Sequence, residues 1–109
     1  MHELSITRNV VAIVSEHARA RKILRVTLEV GKLSAVMPEA IRFCFEACTR
    51  DTPLEGARLE IVEIPGSATC RDCGAEFALY DLVARCACGG VNLAWRGGDE
   101  LMIKEMEVA

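Results

Sequence analysis

The chain has 109 residues, of which 51% are hydrophobic and 27% charged, and its 13 basic and 16 acidic side chains leave a net charge of −3. This composition excludes an intrinsically disordered chain and argues against a general binder of the nucleic-acid backbone. The longest apolar run, residues 10–14, falls far short of the roughly 18 residues that cross a membrane. No secretory signal is recognisable, so we expect a cytoplasmic protein with one compact domain.

Residues 4–21 have the pattern of an amphipathic helix, with Ser5 or Thr7 as a candidate cap at its start. Apolar positions recur at steps of three and four residues, which predicts one buried stripe. The stripe consists of Ile6, Val10, Ile13, Val14 and His17. Its place on this stripe favours His17 as a half-buried packing residue over a metal ligand.

Residues 23–30 are predicted to form a strand, because apolar and polar side chains alternate along them until Gly31. The predicted core face consists of Leu24, Val26, Leu28 and Val30. The other face carries Arg25, Thr27 and Glu29 and is expected to be solvated.

A second helix is predicted to begin at Pro38, since proline is tolerated in the first helical turn, and to stop at residues 51–53. Its apolar stripe consists of Ile41, Cys44, Phe45 and Cys48. The two cysteines are one turn apart and could chelate a metal, but their place on the stripe favours core packing.

Two further strands are predicted, over residues 57–64 and 101–108. The first has Leu59 and Ile61 on one face and Val62 and Ile64 on the other. This change of phase predicts a bulge or burial on both faces. Between the strands, breaks at 65–67 and 96–99 enclose a segment too small to form its own core, so the last strand must return to the first half of the chain. We therefore predict an α+β fold, with two helices on a small mixed sheet and an inserted cysteine module.

Four of the six cysteines lie in this inserted segment, as Cys70 and Cys73 in one arm and Cys86 and Cys88 in the other. In a reducing compartment, clustered thiols more often hold a metal than form disulfides. Four thiolates on two short turns can surround a tetrahedral Zn(II), which would supply folding energy. A redox dithiol at the first arm is the alternative.

Details of the module fit a small zinc ribbon. Gly74 and Gly89 follow the two arms and permit a left-handed backbone. Apolar cover for a hairpin is expected from Phe77, Leu79, Tyr80 and Leu82, and charge compensation from Arg71 and Arg85. The second arm is C-x-C, one residue shorter than the usual C-x-x-C.

The amino terminus offers a different kind of metal site. Methionine removal requires a small second residue, so Met1 is expected to remain in front of His2. The terminal amine, the imidazole and the amides of His2 and Glu3 could present four nitrogens in a plane, which suits Ni(II) or Cu(II). Taken alone, a histidine here is more often only part of a solvated terminus.

In combination these segments resemble the HypA/HybF family of nickel metallochaperones, which serve [NiFe]-hydrogenase maturation. The resemblance covers essentially the whole chain and rests on the order of its parts. The matching stretches are residues 1–6, Gly31-Lys32-Leu33 running into Pro38-Glu39, Thr52 with Glu55-Gly56-Ala57, the four-cysteine segment and Gly98-Asp99-Glu100-Leu101. A generic zinc ribbon explains neither the opening Met-His-Glu nor the returning strand.

The resemblance implies a carrier of Ni(II) and not an enzyme. It makes His2 the nickel ligand, with the Met1 amine and the backbone of His2 and Glu3, and it assigns structural Zn(II) to Cys70, Cys73, Cys86 and Cys88. It divides the chain into a nickel-binding domain over 1–65, a zinc module over 66–97 and a returning strand over 98–109. The family has C-x-x-C in the second arm, so the shorter arm is a departure.

The implied partners are a hydrogenase-maturation GTPase and the hydrogenase large subunit, with urease maturation proteins for some members. No P-loop and no Ser/His/Asp set is present, so nucleotide hydrolysis would belong to the partner. Neither nucleic acid nor membrane is expected as a partner, and both a monomer and a homodimer remain open.

Two interpretations from other classes compete. A zinc-ribbon adaptor for nucleic acid or a transcription protein would need a basic stripe with stacking aromatics, whereas this chain is acidic. Its best candidate contact is Trp95 beside Arg96, where packing on the ribbon is favoured. A thiol oxidoreductase using Cys70 and Cys73 would need a thioredoxin-like context that the sequence lacks.

Overall fold

The computed structural model describes residues 3–109, which form two helices and six strands. In chain order these are α1 (Glu3–Ala18), β1 (Ile23–Gly31), α2 (Pro38–Cys48), β2 (Arg58–Ile64), β3 (Gly66–Cys70), β4 (Glu76–Leu79), β5 (Leu93–Arg96) and β6 (Leu101–Val108). Within these described residues, neither helix is long and apolar enough to cross a membrane.

The strands form two separate sheets of three. In the larger sheet, ordered β2-β1-β6, the central strand β1 pairs in parallel with β2 and antiparallel with β6. The predicted α+β fold with a small mixed sheet is therefore confirmed, and the last strand does return to the first half of the chain. The smaller sheet, β4-β3-β5, is antiparallel and belongs to the cysteine module.

The core lies between the helices and one face of the larger sheet, because α1 packs against α2 and β6 while α2 packs against β2. Its most deeply buried apolar side chains, none more than 1% exposed, are Val14, Ile23, Val26, Leu28, Val30, Ile41 and Leu54. The predicted stripe of α2 is correct, with Ile41 and Phe45 buried and Cys44 and Cys48 half-buried.

The buried side of α1 differs from the predicted stripe. It consists of Thr7, Val10, Val11, Val14 and Ala18. Ile13 is 45% exposed and His17 is exposed, so the prediction that these two pack inside was wrong. The difference arises because α1 packs against α2 as well as against the sheet. The periodicity of α1 alone does not indicate on which side a second helix lies.

The ends of α1 also differ from the prediction. The helix begins at Glu3, so neither Ser5 nor Thr7 caps it, and the Thr7 hydroxyl donates to the Glu3 carbonyl oxygen at 2.7 Å. At the other end, Arg19 and Ala20 have φ values of 52° and 68°. This left-handed backbone stops the helix before residue 21.

Four predictions about strands were wrong, the first being the solvated face of β1, where Thr27 is only 4% exposed. Ile23 is fully buried and Leu24 is 46% exposed, because pairing with β6 is irregular between Ile23 and Arg25 and shifts the alternation. β2 pairs with β1 without irregularity, and Val62 on its open face is 39% exposed, so there is neither a bulge nor burial on both faces. The break predicted over 65–67 is confined to Pro65, since β3 begins at Gly66.

Candidate metal centre

Four cysteines meet at one end of the smaller sheet. The sulfurs of Cys70, Cys73, Cys86 and Cys88 all lie within 4.8 Å of one another. Across the arms, Cys73 Sγ is 3.5 Å from Cys86 Sγ, and Cys70 Sγ is 3.7 Å from Cys88 Sγ. Four sulfurs bound about 2.3 Å from a tetrahedral Zn(II) lie about 3.8 Å apart. The sulfur positions therefore fit a tetrahedral zinc ion.

The two arms share one backbone arrangement. In the first, the Cys70 N–H donates to the Ala75 carbonyl and the Gly74 N–H donates to the Cys70 carbonyl, both at 2.8 Å. In the second, the Cys86 N–H donates to the Gly90 carbonyl at 2.9 Å and the Gly89 N–H donates to the Cys86 carbonyl at 2.8 Å. Gly74 and Gly89 have φ values of 81° and 91°, as predicted. The C-x-C arm thus repeats the C-x-x-C turn with one residue fewer.

Gly90 closes the shorter arm over the sulfurs. Its N–H donates to Cys88 Sγ at 3.4 Å. A Cβ atom here would lie 2.6 Å from Asp72 Oδ2 and 3.2 Å from Cys70 Sγ, so only glycine fits without movement of these neighbours. Sequence reasoning missed Gly90, whose only signal was its place directly after Gly89.

The four thiols shift each other's pKa values. The pKa of Cys70 is lowered to about 7, chiefly because its sulfur accepts a hydrogen bond from the Cys73 backbone, although burial opposes this. The pKa of Cys88 is raised to about 12, because the other three cysteines outweigh the lowering effect of the Gly90 N–H. The hydrogen bond from the Ala75 N–H lowers the pKa of Cys73, but the Cys86 thiol, burial and the Cys70 thiol together outweigh it. The net effect is that the pKa of Cys73 is raised. Four thiolates at this spacing therefore require a cation to offset their repulsion.

The surroundings of the sulfurs are only partly as predicted. Cys70 and Cys86 are buried, whereas Cys73 and Cys88 are exposed. Leu79 is buried and Phe77 half-buried, as expected for the hairpin's cover. Tyr80 and Leu82 were predicted to join this cover, but they are 65% and 56% exposed on the loop after β4. Trp95, favoured as a packing residue, is 44% exposed on β5.

The remaining candidate ligands lie elsewhere. Cys44 and Cys48 are free thiols on α2, and Cys48 packs against the core as predicted. Among residues 3–109, the four-cysteine cluster is the only group of three or more His, Cys, Asp or Glu placed to hold a metal ion. The predicted nickel ligands Met1 and His2 lie outside the described residues, and Glu3 is the first described residue of that site.

Glu3 makes a long-range contact that the sequence did not reveal. Its Oε2 atom accepts a hydrogen bond from the Met37 backbone N–H at 3.1 Å, across 34 positions of the chain. Met37 is the N-cap residue of α2 and has no side-chain cap of its own. The start of α1, which carries the predicted nickel segment, is thus bonded to the start of α2.

Comparison with known proteins decides the family. A family model described as "Hydrogenase/urease nickel incorporation, metallochaperone, hypA" matches residues 1–108. The chain belongs to the HypA family. It is 60% identical over 108 residues to hydrogenase maturation factor HypA of Trichormus variabilis, covering 99% of this chain and 96% of that protein. It is 53% identical over 109 residues to the factor of the same name from Geobacter metallireducens, covering 99% of both.

Solved HypA structures share the fold. The solution structure of the nickel metallochaperone HypA from Helicobacter pylori aligns with a TM-score of 0.66 at 28% identity, over 99% of this chain and 97% of that one. Another HypA solution structure aligns with a TM-score of 0.68 at 27% identity, and the alignment covers 100% of this chain and 97% of that one. The resemblance identified from the sequence is confirmed, and a zinc-ribbon adaptor for nucleic acid is not favoured.

Proposed function

We propose that this HypA chain binds Ni(II) at its amino terminus and delivers it during maturation of a [NiFe]-hydrogenase. The observation that carries the proposal is the match to a nickel-incorporation family from residue 1 onward, with Met1-His2-Glu3 inside the matched range. The Met1 amine, the His2 imidazole and the amides of His2 and Glu3 are the ligands. Such a set of nitrogens suits planar coordination of Ni(II).

The four cysteines hold a structural Zn(II) ion in this proposal. The sulfur spacing and the paired turns of the two arms support it. The bound ion would offset the thiolate charge and supply folding energy to the module over 66–97, which has few buried side chains of its own. Zinc therefore maintains the module, while nickel is the cargo of the nickel-binding domain over 1–65 and its returning strand over 98–109.

The chain works as a carrier and not as an enzyme. Its sequence offers neither a P-loop nor a hydrolytic triad, so the energy and timing of transfer come from a partner GTPase. The hydrogenase large subunit is the acceptor, and urease maturation proteins form a second route. We place this exchange in the cytoplasm, where reduced thiols can retain zinc.

The experiment is a calorimetric titration of Ni(II) into zinc-loaded protein. Wild type is compared with His2→Ala and with a variant carrying additional residues before Met1, which removes the terminal amine from the site. Both are expected to weaken nickel binding by at least about tenfold, since each loses a ligand. The control is His17→Ala, because His17 is exposed on α1 and lies outside the site. Unchanged nickel binding in both variants would overturn the terminal site.

A further inference from the structure

The start of α2 lacks a cap within its own segment. A helix begins with backbone N–H groups that have no partner inside the helix, and it carries a partial positive charge there. Pro38 has no N–H to offer, and the side chain of Met37 makes no capping hydrogen bond. The start of α2 therefore favours a carboxylate supplied from elsewhere in the chain.

Glu3 supplies that carboxylate. Its Oε2 atom lies 3.1 Å from the Met37 nitrogen and accepts that N–H. The contact combines a charge-assisted hydrogen bond with a negative charge at the positive end of a helix, and both effects are favourable. The main chain of Glu3 is held as well, because its carbonyl oxygen accepts the Thr7 hydroxyl at 2.7 Å. Glu3 is thus fixed through both its side chain and its backbone.

We infer that the Glu3 carboxylate positions the terminal Ni(II) site by bonding to the start of α2 and is not itself a nickel ligand. The inference rests on the proposed function, which includes the Glu3 amide among the ligands. Because the contact fixes the residue that follows His2, less conformational freedom remains to be lost when nickel binds. Glu3 is therefore a positioning residue whose side chain affects nickel affinity without entering the coordination sphere.

The test compares three variants with wild type in nickel titrations followed by calorimetry and visible absorption. Glu3→Ala removes the contact and keeps the backbone amide. Glu3→Gln keeps an oxygen that can accept the Met37 N–H. Glu39→Ala is the matched control, since Glu39 also lies in the first turn of α2 but its carboxylate is 87% exposed and pairs with Arg42.

We expect Glu3→Ala to weaken Ni(II) binding by about tenfold, the effect of one charge-assisted hydrogen bond, without changing the visible spectrum of bound nickel. Glu3→Gln should restore only part of the affinity, because it keeps the hydrogen bond without the charge, and Glu39→Ala should bind as wild type does. Hydrogen exchange of the Met37 amide should become faster in Glu3→Ala and remain slow in the control. This exchange measurement does not depend on nickel.

The outcomes distinguish the positioning role of Glu3 from the proposed nickel-binding function. A changed visible spectrum in Glu3→Ala and Glu3→Gln would show that the carboxylate is a ligand and overturn the inference. Wild-type affinity in Glu3→Ala, together with lost binding in His2→Ala, would overturn the inference and leave the proposed function intact. Unchanged binding in His2→Ala would overturn the proposed function and the inference with it.

Discussion

The Gly90 N–H donates to Cys88 Sγ at 3.4 Å, so the chain turns back over the last sulfur of the shortened arm two residues after it. The same residue accepts the Cys86 N–H through its carbonyl oxygen at 2.9 Å. These two bonds close the C-x-C arm into the turn that the C-x-x-C arm makes with one more residue. The departure from the family pattern therefore leaves all four sulfurs within 4.8 Å of one another, close enough to hold one metal ion.

This role predicts that Gly90→Ala lowers zinc affinity. The new Cβ would lie 2.6 Å from Asp72 Oδ2 and 3.2 Å from Cys70 Sγ, so the carboxylate must rotate and the sulfur must shift. We expect about tenfold weaker zinc binding, measured by competition with a chelator of known affinity.

The control for this substitution is Gly56→Ala. Gly56 has a φ of 80° but no atom within 4 Å of an added Cβ. Alanine there should cost about 1 kcal/mol of stability through the backbone and leave zinc affinity unchanged. Equal zinc affinities in Gly90→Ala and wild type would contradict the role of Gly90.

Zinc loading at pH 7 is predicted to release protons from the thiols. The raised pKa values of Cys73 and Cys88, the latter about 12, keep these groups protonated at pH 7 without metal, whereas Cys70 at about 7 is partly ionised. Zinc binds thiolates, so binding expels these protons and zinc affinity falls as the pH falls.

The measurement is calorimetry of zinc binding to the reduced, metal-free chain in two buffers with different ionisation enthalpies. The observed enthalpy should differ between the buffers in proportion to the protons released. Cys44→Ser should release the same number as wild type, because Cys44 lies on α2 outside the cluster. A buffer-independent enthalpy would show that the thiols were already ionised.

Gly31, at the end of β1, lies against the backbone of Gly98, at the junction between the module and β6. A Cβ there would lie 2.0 Å from the Gly98 carbonyl oxygen, and the neighbouring Leu33 N–H donates to that oxygen at 2.7 Å. Backbone cannot move aside as a flexible side chain can, so Gly31→Ala should lower the free energy of unfolding by about 2–4 kcal/mol. Urea denaturation provides the measurement. A loss no greater than that of Gly56→Ala would mean that this junction tolerates a side chain.

Local pattern predicted much of the fold. The final strand carries apolar residues after a glycine-rich break, and it had no other surface on which to bury them, so its return to the first half of the chain followed from the sequence. Pro38 at the start of α2 and the alternation through Val26, Leu28 and Val30 were equally informative. These features depend on neighbours within one element, where spacing along the chain determines which side is buried.

The errors arose where contacts come from another element. The buried side of α1 depends on α2, which periodicity does not include, and the exposure of Leu24 depends on irregular pairing with β6. In the cysteine module, the gathering of Cys70, Cys73, Cys86 and Cys88 could be predicted from their spacing. The contact between Glu3 and Met37 spans 34 positions and the constraint at Gly90 involves Asp72 in the other arm, so neither has a local signal.

The central claim is that nickel occupies the amino terminus while the cysteines are occupied by zinc. Ni K-edge X-ray absorption on zinc-loaded protein with an equimolar amount of Ni(II) tests it most directly, since the method distinguishes nitrogen from sulfur neighbours. We expect four nitrogen ligands in a planar arrangement without sulfur, and the loss of that spectrum in His2→Ala. Sulfur ligands around nickel would contradict it, because they would place the cargo at the four cysteines.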